Sequence, residues 1–312
     1  MPTTSRLERV RDLDWLALFI ASWVVPFILD DFHRLTYFTS LAFWLVPTLL
    51  LLPRFLAYTD SGGRRRSAML ITTGAIVAMG VLLDVVFGHV ILQFDESSAA
   101  YLAVITVPAL GARVPVEEFL FYAMAPIATL LLYGWASEYW MARYTPRFVP
   151  RAGSVHERII QISPAALLVG VILMLAGLAI YQRNPARDAM VPGYFTFLIA
   201  LAFVPAVFLF SVLRTYVNWR AFGVTALYLL VTSMAWETTL AVPRHWWGYK
   251  PSGMLGIWVQ AWTADPAWPF PLEAVLVWFA SPFAMVLTYE FVKLKKYLAD
   301  PAKATYMHPS LR

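Results

Sequence analysis

Eight stretches of roughly twenty apolar residues recur along a chain of 312, and they leave it little choice of fold. A bilayer core about 30 Å thick is crossed by about 20 apolar residues in helical form. Stretches of that length lie near 13–29, 35–53, 67–90, 115–138, 160–181, 191–213, 219–241 and 271–292. In lipid the backbone must satisfy its own hydrogen bonds, which a helix does within one segment, and the alternation that marks barrel strands is missing. The expected class is an all-α polytopic integral membrane bundle of about eight transmembrane helices. Composition agrees: 60% of the residues are hydrophobic, 14% are charged and the mean hydropathy is +0.64, beyond the usual range of a soluble domain. The first stretch follows Arg6, Arg9 and Arg11 as a secretory signal would. Asp30, Asp31 and His33 then stand where a small-residue cleavage site belongs, so it reads as a span.

The net charge of +5 comes from 24 Lys and Arg set in short loops and tails. No continuous basic patch forms, which argues against nucleic acid and suits anionic headgroups. With the N-terminus cytoplasmic, 18 basic residues fall on that side and 6 (Arg34, Arg113, Arg183, Arg187, Arg244 and Lys250) on the other. Retention of Lys and Arg on the inside then makes both termini cytoplasmic, with a bacterial inner membrane as the expected location. The absence of cysteine removes disulfides, thiolate nucleophiles and cysteine-bound metals. No glycine-rich nucleotide loop or metal-ligand set is present, so neither a cofactor nor a metal is expected.

The chain repeats itself. One helix ends in Leu82-Leu83-Asp84, a loop of about thirty residues follows, and the next opens Val114-Pro115-Val116-Glu117-Glu118-Phe119; later, Ala235-Trp236-Glu237 is followed by a similar loop and by Phe270-Pro271-Leu272-Glu273-Ala274-Val275. A shift of 156 superposes Pro115 on Pro271, Glu117 on Glu273, Pro126 on Pro282 and Tyr133 on Tyr289. This predicts two parallel four-helix repeats, 1–145 and 159–312, joined by a basic linker at 146–158.

Charge at membrane depth costs about 2.5–3.5 kcal/mol at a helix centre, so intramembrane acids are candidates for function. Asp84, Glu117, Glu118, Glu237 and Glu273 all fall at the non-cytoplasmic end. Proline at a helix start forfeits no hydrogen bond, and the helix dipole favours a first-turn carboxylate by about 0.3–1 kcal/mol. Glu117 and Glu273 could thus be ordinary interfacial residues. Two copies of the element, each facing an acid from the preceding span, favour a site instead. Glu118 projects about 100° away from Glu117; since Glu117 matches Glu273 whereas Glu118 matches Ala274, Glu117 is expected to face the shared cavity. A pair such as Asp84 with Glu117, or Glu237 with Glu273, would hold a Brønsted acid beside its conjugate base in a dry pocket. Arg113 and Arg244 adjoin these helix ends and could be structural counter-ions. His89 and His245 lack partners at metal-ligand spacing and read as interfacial.

The second loop, 242–270, carries Trp246, Trp247, Tyr249, Trp258, Trp262 and Trp268, with Gly248, Gly253 and Gly256 allowing it to fold back on the bundle. An interfacial belt explains some of these rings. Aromatic faces also stabilise cations by about 0.5–2 kcal/mol each, and Trp236, Phe121, Tyr122, Trp246, Trp247 and Trp278 are the expected cation-stabilising set.

The two Pro-x-Glu helix starts, Pro115-Val116-Glu117-Glu118 and Pro271-Leu272-Glu273, each after an acid-terminated helix, resemble the repeated motif of the small membrane-bound lycopene cyclases of bacteria, archaea and fungi. The likeness covers about 84–140 and 236–292. It implies a proton-initiated, non-redox closure of the acyclic end of a carotenoid-type polyene, with Glu117, Glu118 and Glu273 essential. It also implies a lipid-soluble substrate and association with other enzymes of the same pathway. Ala274, where a paired glutamate is expected, suggests that one half is catalytic and the other supportive. The alternatives are a proton-coupled transporter, which would use the same acids as a relay, and a non-catalytic isoprenoid-binding membrane protein.

Overall fold

The computed structural model describes residues 36–58, 64–94, 101–107, 112–145, 160–259 and 270–299 and 11 positions between 13 and 28, with backbone alone at 54–58, 64, 84, 89, 107, 112 and 297. The linker at 146–158, Trp262 and Trp268 lie outside the described residues. Among the described residues seven long helices dominate: α1 (Ala42–Tyr58), α2 (Arg64–Leu83), α3 (Val116–Trp135), α4 (Pro164–Tyr181), α5 (Gly193–Leu213), α6 (Trp219–Trp236) and α7 (Leu272–Ala299). Six of them, α2 to α7, are long and apolar enough to cross a membrane, as a multi-pass protein requires. The apolar part of α1, Ala42–Pro53, is shorter, and the described positions between 13 and 28 are helical.

The mostly helical class matches the sequence; what the sequence did not foresee is short β structure in the loops. Four strands form two antiparallel ladders: β2 (Val104–Val107) pairs with β3 (Ala112–Pro115), and β1 (Leu92–Phe94) pairs with β4 (Trp247–Tyr249). The second ladder ties together the two long loops, which are more than 150 residues apart in sequence.

Helices α3 and α7 form the centre. α3 packs against α1, α2, α6 and α7, while α7 packs against α2, α5 and α6; α4 touches the bundle through α5. That peripheral place fits the sequence of α4, whose Leu168, Ile172 and Leu175 are all more than half exposed and would face lipid. Pro126 and Pro282 sit inside α3 and α7, each deleting one helical hydrogen bond near the same level of the bundle. At the end remote from the loops, Tyr133 and Tyr289 meet edge to face at 6.3 Å. There Tyr133 donates to the buried Glu290 (3.0 Å) and accepts from the Asn218 backbone N–H, and Lys293 neutralises Glu290 at 2.5 Å.

Candidate functional site

The acids that end α2 and α6 open π-helical turns. Asp84–Gly88 extends α2 and Glu237–Ala241 extends α6, and the wider π turn swings the chain off the helix axis into the loops. Each loop then returns to a glutamate-bearing helix start in the same way. Pro115 is the N-cap of α3 and pairs with Val104; Pro271 precedes α7 and bridges to Trp258. Both prolines therefore stand one position before the helix, not at its first turn. The amide of Val116 donates to the Ala103 carbonyl and that of Leu272 to the Ile257 carbonyl, both at 2.9 Å.

Glu117 and Glu273 complete this parallel. Glu117 Oε1 accepts the Leu102 backbone N–H at 2.6 Å, and Glu273 Oε1 accepts the Leu255 backbone N–H at 2.6 Å. Both are buried, at 1% and 0% exposure, and in each the Oε2 oxygen has no partner among the described residues. Each glutamate is a strut that fastens the preceding loop to its helix. The expected pairing of Glu237 with Glu273 does not occur: Glu237 bonds elsewhere. The side chain of Asp84 lies outside the described residues, and the partner of Glu117 is a backbone amide. Neither Arg113 nor Arg244 pairs with Glu117, Glu237 or Glu273; Arg113 is exposed and Arg244 lies 5.9 Å from the Trp246 ring.

The acids that face a cavity are Glu118 and Glu237. A chamber of about 140 Å³ lies between α2, α3, α5 and α7 under the paired loops, and both carboxylates line it. This corrects the expectation that Glu117 faces the shared cavity. A stripe on α3 (Glu118, Phe121, Tyr122, Ala125, Pro126, Thr129) points into the chamber, and Glu117, about 100° round the helix, lies off it. Glu118 is 5% exposed and Glu237 3%. The Tyr37 hydroxyl donates to Glu118 Oε1 at 2.6 Å. Both oxygens of Glu237 accept: Oε2 from the Tyr249 hydroxyl at 2.7 Å and Oε1 from Trp278 Nε1 at 2.8 Å. Burial, and then the Glu237 carboxylate, push the Tyr249 phenol well above its usual range, so it remains a donor.

Aromatic rings enclose the acids. Trp236, Trp247, Phe121, Tyr122 and Trp278 all line the chamber as expected, with Trp236 4.7 Å from Trp247 and stacked 5.7 Å from Phe121. Trp246 does not line it. Trp246 stacks behind Tyr37 at 6.3 Å, and its carbonyl accepts from the Tyr101 hydroxyl. Sequence reasoning missed Tyr37, Tyr194 and Trp44. The first two line the chamber, and Trp44 backs its wall, stacked on Trp278 at 5.3 Å and edge-on to Trp236 at 6.1 Å. Farther from the acids the lining is apolar (Ile76, Met79, Leu201, Val277, Met285), with Thr129 and Ser281 supplying hydroxyls.

The second loop folds back over the bundle. Asn184 donates to the Pro251 and Met254 carbonyls at 2.9 and 2.8 Å. Gly253 passes so close to the Val90 carbonyl that a Cβ would meet it at 2.7 Å, and Gly256 has φ +86°, where side chains are strained. Among the described residues no cluster of His, Asp and Glu could hold a metal ion. No family model, curated protein or solved structure matches the chain.

Proposed function

We propose that the chain is a membrane cyclase of the lycopene-cyclase type, which closes the end group of an acyclic polyene by adding a proton and later removing one. The observation that carries this reading is a small, mostly apolar chamber lined by two buried acids and walled by aromatic faces. Ring closure of a polyene end needs this equipment. An acid protonates the terminal double bond, aromatic faces and a fixed negative group stabilise the resulting tertiary cation, the next double bond attacks it to form the ring carbon–carbon bond, and a base removes a proton. One proton enters and one leaves, so the product is an isomer of the substrate and no electrons are exchanged.

In this reading Glu118 is the acid, supported by Tyr37 fixing one oxygen. Glu237 is the base and the charge opposite the cation, supported by the hydrogen bonds that both of its oxygens accept. Glu117 and Glu273 act through the loops they anchor. The matching amide-to-glutamate bonds, π turns and proline bridges support duplication into two parallel repeats, 1–145 and 159–312; we read the chain as eight spans in a bacterial inner membrane, and the charge asymmetry supports cytoplasmic termini. The apolar lining beyond the acids favours cyclisation over proton-coupled transport, which needs a polar path onward.

The test is to express this chain alone in a host that accumulates lycopene. Wild type should give ringed pigment, and Glu118→Gln and Glu237→Gln should leave linear precursor at normal protein levels. Ringed pigment at wild-type yield from both variants would sink the mechanism.

A further inference from the structure

Resting on that reading, the size of the chamber decides how a long substrate must lie. An apolar protein cavity of about 150 Å³ takes a molecule the size of benzene. At about 140 Å³, the chamber has room for one ring-sized end group, and the rest of a long polyene must lie outside it.

Among the described residues only some walls are sealed. On the loop side the short helix His89–Ile91 rests against α5, where a Cβ added at Gly193 would come within van der Waals reach of Ile91 and Val90. α3 and α7 pack against each other, and α2 packs against both. α5 packs against α7 and α4, but α2 and α5, which both border the chamber, barely touch each other. Of the lining residues on these two helices, Ile76, Gly80, Tyr194 and Leu201 are buried, while Met79 and Leu83 on α2 and Phe197 on α5 are part-exposed. At 100° per residue Phe197 lies between the chamber-facing Tyr194 and Leu201 and the outward-facing Ala200 and Val204. It therefore stands at the edge where chamber meets lipid.

We infer that the slot between α2 and α5, edged by Met79 and Leu83 on one side and Phe197 on the other, is the opening through which the linear part of the substrate passes into the bilayer. One end group is then processed at a time, and a second ring requires the product to withdraw and turn round. Tyr122 of α3 also lines the chamber. Its ring lies against the α2 backbone at Gly80, where any Cβ would fall 2.3 Å from Tyr122 Cδ1, so a side chain at position 80 displaces the ring.

A photo-crosslinking amino acid placed singly at Met79, Phe197 or Ile172 tests this in lipid nanodiscs, with lycopene as the probe and adducts read by mass spectrometry. Ile172 is 53% exposed on the far side of α4 and reports on substrate dissolved in bulk lipid. Adducts at 79 and 197 should exceed those at 172 several-fold. Equal adducts at all three positions overturn the slot, even where wild type makes ringed pigment. Wild type that neither cyclises lycopene nor gives adducts at any position overturns the cyclase reading itself. A second measurement uses Phe197→Trp, which should slow conversion of lycopene several-fold while sparing a short acyclic terpene that fits wholly inside; equal loss on both substrates also counts against the slot.

Discussion

Tyr249→Phe separates a working Glu237 from a merely buried one. The substitution keeps the ring and its stacking on Tyr194, 5.9 Å away, and deletes the 2.7 Å bond to Glu237 Oε2 together with the hydroxyl's hydrogen bond to the Trp247 side chain. A hydrogen bond to a charged group contributes about 1.5–3 kcal/mol. At 1.36 kcal/mol per decade this is a loss of about 10- to 150-fold in any rate that depends on a fully solvated Glu237 anion. Trp278→Phe removes the other donor, at 2.8 Å, and should cost a similar factor. The double variant should depart from simple multiplication, because the two donors share one acceptor group. The assay is the initial rate of ring formation in nanodiscs alongside thermal unfolding of the same samples. Burial and Glu237 both favour the neutral phenol, so Tyr249 itself stays a donor from about pH 6 to 9. The sign of the stability effect follows: the raised folded-state value contributes stability that is present below about pH 10 and lost as pH climbs towards that value. Wild type should therefore soften in strong alkali more than Tyr249→Phe. A Tyr249→Phe variant that cyclises at the full rate would refute a catalytic role for Glu237, whatever its melting temperature.

The two strut glutamates should behave differently from the chamber pair. Glu117→Ala and Glu273→Ala should each lower stability by about 1–3 kcal/mol by stranding the Leu102 or Leu255 amide; thermal unfolding and limited proteolysis of the preceding loop would show it, and stability equal to wild type in both counts against the strut role. Asn184→Ala removes both bonds to the 251–254 backbone and should speed hydrogen exchange at Gly253 to Gly256 without changing it in α4. Ala274→Glu, built to restore a second Glu-Glu motif, should fail to accumulate, since Ala274 is 0% exposed and an unpaired buried carboxylate costs several kcal/mol; blotted membrane fractions report the result.

Much of this was legible in the chain and some was not, for identifiable reasons. Span-length apolar runs announce helices because lipid allows no other open backbone, and positions of α2 to α7 follow within a few residues. The four strands were invisible because each has three or four residues and exists only by pairing, β1 and β4 across the two loops. Glu118 was readable in principle. Phe121 and Tyr122 were singled out as cation-stabilising, and Glu118 lies three and four residues before them, within reach of both, whereas Glu117 shares a face with Phe121 but not with Tyr122. Ranking the glutamates by their match between repeats chose Glu117, and that match marks the strut. Tyr37 could not be read at all, because its partner Glu118 is 81 residues away.

The proposed duplication and the observed asymmetry fit together once struts and acids are separated. What recurs in both halves is the means of holding a long loop against a helix start: a π turn, a proline bridge and a glutamate accepting a backbone amide. Such a device must be kept twice, because the β1–β4 ladder that roofs the chamber draws one strand from each loop. The proposed ring closure needs only one acid and one base, and the two acids that line the chamber come from unlike positions, Glu118 in the α3 first turn and Glu237 at the end of α6. With a chamber sized for a single end group, a second glutamate beside Glu273 would have no cavity to serve. Ala274 at that position is then the expected state of a two-fold scaffold built around one reacting end.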